Sequence, residues 1–224
     1  MKWLGSLGLV ALLAACASGP VPPAWQAEAQ AAMERSTTAW LAGETKASDA
    51  EMERARRALT STGRTELLAR AELMRCAAHV ATLDFAPCDR FEALRADAPA
   101  SERAYADYLG ARALSRDDIA RLPAAQQAAA IAVVGGEAPL ASVQGIEDPQ
   151  ARLIAIAVLF QAGKASPALI AAATETASAQ GWRRPLLAWL KVQAMRAEKA
   201  GDASEAQRLQ RRIALVEGPT TTKP

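Results

Sequence analysis

Aromatic residues are scarce in this 224-residue chain: Phe, Trp and Tyr together make up 4%. Strands favour aromatic and β-branched side chains, so their scarcity argues against a β-sandwich or barrel. Histidine occurs once, at His79, which leaves little room for Ser-His-Asp catalysis. No Gly-x-Ser-x-Gly occurs, and Val134-Gly135-Gly136-Glu137 lacks the following Lys-Ser/Thr of a phosphate loop. Excess charge of one sign is also missing, the formal net charge being +2. A polyanion partner needs a dense basic patch, so nucleic-acid binding is not expected. Arg and Glu instead alternate, as in Glu51-Met52-Glu53-Arg54-Ala55-Arg56-Arg57. That is the pattern of solvated helix faces laced with ion pairs.

What is abundant is alanine, about a quarter of all residues in a chain that is 51% hydrophobic. Alanine is the best helix former and fills cores where helices approach closely. The composition predicts an all-α protein. The length suits one domain or one extended repeat array behind a targeting segment.

That segment is legible in residues 1–16. Lys2 gives a basic start, an apolar stretch follows over residues 7–15, and small residues precede Cys16. This is the tripartite order of a secretory signal. The apolar stretch falls well short of the ~20 residues of a spanning helix. Ala17-Ser18-Gly19-Pro20-Val21-Pro22-Pro23 then reads as a proline-rich tether. Leu13-Ala14-Ala15-Cys16 resembles the lipobox of bacterial lipoproteins. The resemblance implies cleavage before Cys16 and a diacylglyceryl thioether on its sulfur, usually with a further acyl chain on the new amine. Two or three chains on one residue give stable anchoring, where one is marginal. Ala17, in place of the Asp that goes with inner-membrane retention, implies an outer-membrane address facing the periplasm. The expected division is a signal peptide over 1–15, lipidated Cys16 and tether over 16–23, a helical domain over 24–218 and a disordered tail over 219–224.

With Cys16 assigned to lipid, Cys76 and Cys88 remain as an even pair in an oxidising compartment. They are expected to form a disulfide that pins a loop onto the apolar helix carrying Cys76. Free buried thiols are one alternative. A metal site built from Cys76, His79 and Cys88 is another, but it lacks a fourth ligand and the spacing of zinc modules. No metal or small-molecule cofactor is expected.

Helix punctuation runs the length of the chain. Trp25, Ala29, Ala32, Ser36 and Trp40 share one helical stripe that Gly43 ends. Ser48 with Glu51 reads as a capping box for a second helix closed by Gly63. A third, strongly apolar helix is predicted over 65–83, with shorter ones over 89–96 and 101–114. Ser115 with Asp118 caps a brief turn, and Pro123 opens a helix ending at Gly135-Gly136. Residues 137–147 read as a connector. Asp148-Pro149, Ser166-Pro167, Arg184-Pro185 and Asp202 then recur every 18 residues, and a cap residue followed by proline is a helix start signal. Gly163, Gly181, Gly201 and Gly218 mark the ends. The run 153–160 resembles a buried strand, but its start and stop signals enclose a helix, apolar all round and therefore buried. Four helices joined by tight turns must alternate in direction. Each pair spans about 36 residues, the scale of solenoid repeats.

The last pair, roughly 186–219, resembles tetratricopeptide repeats. Ala200-Gly201-Asp202-Ala203-Ser204-Glu205-Ala206 matches their interhelical junction, and Leu190, Ala194, Ala197 and Ile213 fall near small or apolar consensus positions. The family's aromatic positions are largely alanine here, and Pro219 stands one residue late. The resemblance implies an array of helical hairpins, tetratricopeptide-like at least in the C-terminal third. Such arrays recognise peptides or partner helices.

Acidic pairs such as Asp117-Asp118 and Glu147-Asp148 sit at helix starts, where they complement the dipole rather than suggest acid/base catalysis. Trp182-Arg183-Arg184 and Trp189 are types enriched in interface hot spots and are the candidate partner-binding residues. The two tryptophans equally suit the packing of a terminal repeat. Of Tyr105 and Tyr108, one is expected inward and the other is a candidate contact. The chain is thus expected to be a non-enzymatic envelope lipoprotein that scaffolds or assembles protein partners. The alternatives are an envelope enzyme or glycan-binding accessory of peptidoglycan metabolism, and a structural lipoprotein without a dedicated partner.

Overall fold

A computed structural model describes residues 23–135 and 140–218. Cys16, the signal segment, Gly136, Glu137 and the tail over 219–224 lie outside the described residues. Within them the chain is all-α, twelve helices packed as an array of hairpins.

Helices α1 (Ala24–Ala42) and α2 (Thr45–Thr60) form the first hairpin. Gly43 adopts φ 96° between them, and the N–H groups of Gly43 and Glu44 close onto Trp40 and Ala39. Only glycine adopts that left-handed conformation without cost. The expected capping box does not form. Thr45 starts α2 three residues earlier, so Ser48 lies inside the helix. Its buried hydroxyl meets Ser36 Oγ at 3.2 Å, and Ser36 Oγ donates to the Ser48 carbonyl at 2.9 Å. Two small hydroxyls let the helices cross closely while satisfying each other. Glu51 turns outward to pair with Arg35 and Arg54.

Helix α3 (Thr65–Val80) runs behind this hairpin, and its last turn closes at Leu83, φ 62°. Arg56 and Glu72 pair across the α2–α3 seam with little exposure of either side chain, Arg56 Nη2 donating to Glu72 Oε2 at 2.7 Å. Helix α4 (Asp89–Glu92) is a single turn, shorter than the predicted 89–96. Helix α5 (Ala100–Leu109) stops five residues before the predicted end: Gly110 is its C-cap, and Ala111 after it takes the left-handed conformation. Asp107 holds that stop between Arg95 and Arg112.

Ser115 caps α6 (Arg116–Arg121) as expected, accepting from the Asp118 N–H, and α7 (Ala124–Val134) follows Pro123. The connector reading of 137–147 needs correction. Within it lies α8 (Leu140–Gln144), which drives Val143 into the core, while Arg152 donates to the Ile146 carbonyl just beyond. One inserted apolar side chain is too weak a period to read from sequence.

The C-terminal third comprises α9 (Pro149–Gln161), α10 (Pro167–Ala179), α11 (Arg183–Lys199) and α12 (Ala203–Glu217). Asp148, Ser166 and Asp202 each accept from a first-turn N–H. The Arg184-Pro185 start is displaced: Trp182 precedes the helix without a side-chain cap, and Pro185 is its third residue. Every residue from Leu153 to Leu159 is buried, and α9 touches α3, α5, α7, α8 and α10. Ile and Val cost a helix about 0.5 kcal/mol each relative to alanine. Burying each contributes about 1.5–3 kcal/mol, so burial decides for helix.

The Cys76 and Cys88 sulfurs lie at disulfide distance, with Cα atoms 6.0 Å apart and a sequence separation of 12. Such a bond ties α4 and its approach loop to α3. Reduction, or Cys88→Ala, is expected to lower stability by about 3 kcal/mol, on the loop-entropy scale for a short loop. Urea unfolding with and without dithiothreitol measures this. Two alkylatable thiols in the unreduced domain would refute the bridge.

Candidate functional site

The tryptophan–arginine cluster at the start of α11 is internal architecture. Trp189 has no exposed surface and meets Phe160 edge-on at 5.5 Å. Trp182 is half-buried against Trp40, Leu41 and Ala78. Arg183 donates to the Val216 and Glu217 carbonyls, satisfying the C-terminal end of α12. Arg184 reaches the first hairpin, donating to the Trp40 carbonyl at 2.7 Å and to Thr45 Oγ1 at 2.6 Å. Its guanidinium stacks 3.7 Å from the Trp40 ring centroid, and burial lowers its pKa, opposed by Asp84 and Asp49. Trp189 thus has no surface free for a partner, Arg183 lies at the surface with its guanidinium on the helix end, and Trp182 and Arg184 pack within the array. The hot-spot residue types are also those that clasp two ends of an array, and sequence cannot separate the two uses.

The same Trp40 ring holds the single histidine. His79 stacks on it with centroids 3.6 Å apart, and its Nδ1 meets Asp84 Oδ2 at 2.8 Å. An ionised carboxylate only accepts, so Nδ1 carries the proton. Nε2 is buried without a partner, as is Arg75 Nε. Held between the Trp40 ring and Asp84, the imidazole acts as a strut. Burial lowers the His79 pKa, the Asp84 hydrogen bond opposing it and the Arg75 charge adding to it. The folded pKa therefore lies below the unfolded value, and the unfolded chain binds more protons between the two. Stability is expected to fall as pH drops from about 6.5 towards the folded pKa, and His79→Gln should flatten that slope. Denaturation midpoints between pH 5 and 7.5 check both curves.

A pocket of about 260 Å³ lies beside His79, walled by Arg75, Cys76, Asp84, Cys88 and Arg90 among others. With the two sulfurs paired, the Cys76–His79–Cys88 ligand set dissolves. Among the described residues, no three His, Cys, Asp or Glu side chains gather as a metal site.

A different surface offers the means to bind. Three adjoining depressions of about 430, 370 and 360 Å³ open along α1, α3 and α5, and Met74 lines all of them. The first runs from Trp25 past Met33, Leu59 and Leu67. The second continues by Met33 and Tyr105 to Ile154, and the third by Tyr105 and Leu73 to Leu122. Met74 is 43% exposed although it is large and apolar. Thioether side chains adapt to irregular partners. Polar groups line it as well: exposed Arg70 pairs with the buried Glu102, and Gln30 donates to Glu34. Tyr108 points inward and donates to Gln126 at 2.6 Å, whereas Tyr105 lines the groove. Burial, then the Asp148 charge, raises the Tyr105 pKa, keeping its hydroxyl neutral.

Sequence reasoning missed Met33, Leu67 and Met74. The signal was present: Leu67, Ala71 and Met74 form a second apolar stripe on α3, beside the one through Ala69, Leu73, Ala77 and Val80. That second face packs on the first hairpin through Ala71 and Leu67, and Met74 at its end is left largely uncovered. No helix among the described residues is long and apolar enough to cross a membrane. Comparison with protein-family models, curated proteins and solved structures returns no match to this chain.

Proposed function

We propose that this chain is a lipid-anchored protein of the bacterial envelope, at the outer membrane facing the periplasm. It serves there as a protein-interaction scaffold or assembly factor. Its docking surface is the Met74 groove. The observation that carries this reading is the extent of that groove, three largely apolar depressions that meet around Met74 on a hairpin array. A groove of that kind takes the apolar stripe of a partner's amphipathic helix. An enzyme or glycan-binding accessory calls instead for a pocket with converging polar side chains. The lipobox at Leu13-Ala14-Ala15-Cys16 supports the address.

Two variants test the two halves. Cys16→Ala is expected to accumulate as uncleaved or soluble protein, and unchanged membrane fractionation removes the anchor from the account. A photo-crosslinking residue at Met74 is expected to capture a discrete protein in growing cells, absent when the same residue replaces exposed Leu215 on α12. Equal capture from both positions means that the groove is not the docking surface.

A further inference from the structure

We propose that an acyl chain on Cys16 folds back into the Met74 groove whenever the protein is out of a bilayer, so that anchor and partner compete for one surface. This rests on the lipoprotein reading of the first sixteen residues, and it adds a regulator to the docking surface already described.

Reach is the first argument. Pro23 is seven positions after Cys16, and an extended chain spans roughly 3.3–3.6 Å per residue, so the tether reaches at most about 25 Å. The groove begins at Trp25, two residues past that tether. The lipidated sulfur therefore cannot stray far from the groove's near end. Lining is the second argument. A saturated chain offers no hydrogen-bonding group, and it suits a surface whose interior contributes Ala29, Met33, Leu59, Leu67 and Met74 while Arg64, Arg70 and Glu34 stand at the edges. Continuity is the third. Met33 and Met74 belong to both the first and second depressions, so a linear chain entering beside Trp25 can continue towards Tyr105. In water every exposed methylene is unfavourable. In a bilayer that drive disappears, the chain leaves, and the groove becomes free for a protein.

The test uses the full-length protein from cells fed a diazirine-bearing palmitate, purified in detergent, diluted into detergent-free buffer and irradiated. Mass spectrometry then maps the cross-links. The expected result is label on Cys16 with cross-links at Met33, Leu67 or Met74, at least tenfold reduced in Met74→Glu and again in Met33→Glu. Circular dichroism melting confirms that each variant is folded, since Met74 is largely at the surface. Label on Cys16 with cross-links elsewhere, or unchanged by both variants, overturns the proposal and leaves the lipoprotein reading standing. No label on Cys16 overturns both.

Discussion

Trp40→Ala is expected to cost about 3–5 kcal/mol, the range for truncating a large buried aromatic. In a domain of this size that lowers the melting temperature by roughly 10 °C. Trp40 is 7% exposed and joins three separate stretches of chain. Its Nε1 donates to Thr82 Oγ1 at 3.1 Å, His79 stacks on its ring, and Arg184 stacks there too while bonding its carbonyl. Removing the indole leaves the Thr82 hydroxyl and the imidazole without their neighbour. Arg184→Ala should cost less, about 1.5–3 kcal/mol for charge-assisted hydrogen bonds to a partly exposed group. Arg184→Lys should not restore it, because a lysine ammonium cannot stack flat and fork to two acceptors. Chemical denaturation of both single variants and the double variant closes the cycle. Strict additivity would mean that ring and guanidinium do not act as a unit.

Trp189→Ala carries a loss of similar size, about 3–5 kcal/mol, and separates core from interface directly. The residue is fully buried against Phe160, and its Nε1 has no hydrogen-bond partner. An unsatisfied buried donor costs about 1–3 kcal/mol. Trp189→Phe removes that donor along with some volume, and it should therefore lose far less than the alanine variant. Urea midpoints decide. A Trp189→Ala protein that melts like the parent but fails to capture partners would restore the hot-spot reading.

The helices were readable wherever their ends carry local chemistry. Asp148, Ser166, Asp202 and Ser115 cap because a side-chain oxygen three residues before an N–H is a local event. Gly43, Gly163, Gly181 and Gly201 stop helices because their backbone alone turns left-handed easily. The Ser48 reading failed because the partner that claims its hydroxyl, Ser36, sits on another helix. The early end of α5 failed because Ala111 adopts a conformation usually left to glycine. The site was less legible than the fold. A groove is a property of what does not cover α3, and periodicity reports that a face is apolar without saying whether anything packs on it. The cysteine pair, by contrast, followed from counting.

The Arg184–Trp40 contact joins residues 144 positions apart. In an open stack of repeats each unit leans only on its neighbours, so trimming one end leaves the other intact. Here the penultimate helix is a latch for the first. A chain cut short before α11 would leave α1 held by α2 and α3 alone, loosening one wall of the Met74 groove. During synthesis, when the N-terminus emerges first, that wall stays unfastened until almost the whole polypeptide has been made. The last part of the chain to arrive thus completes the packing of the first.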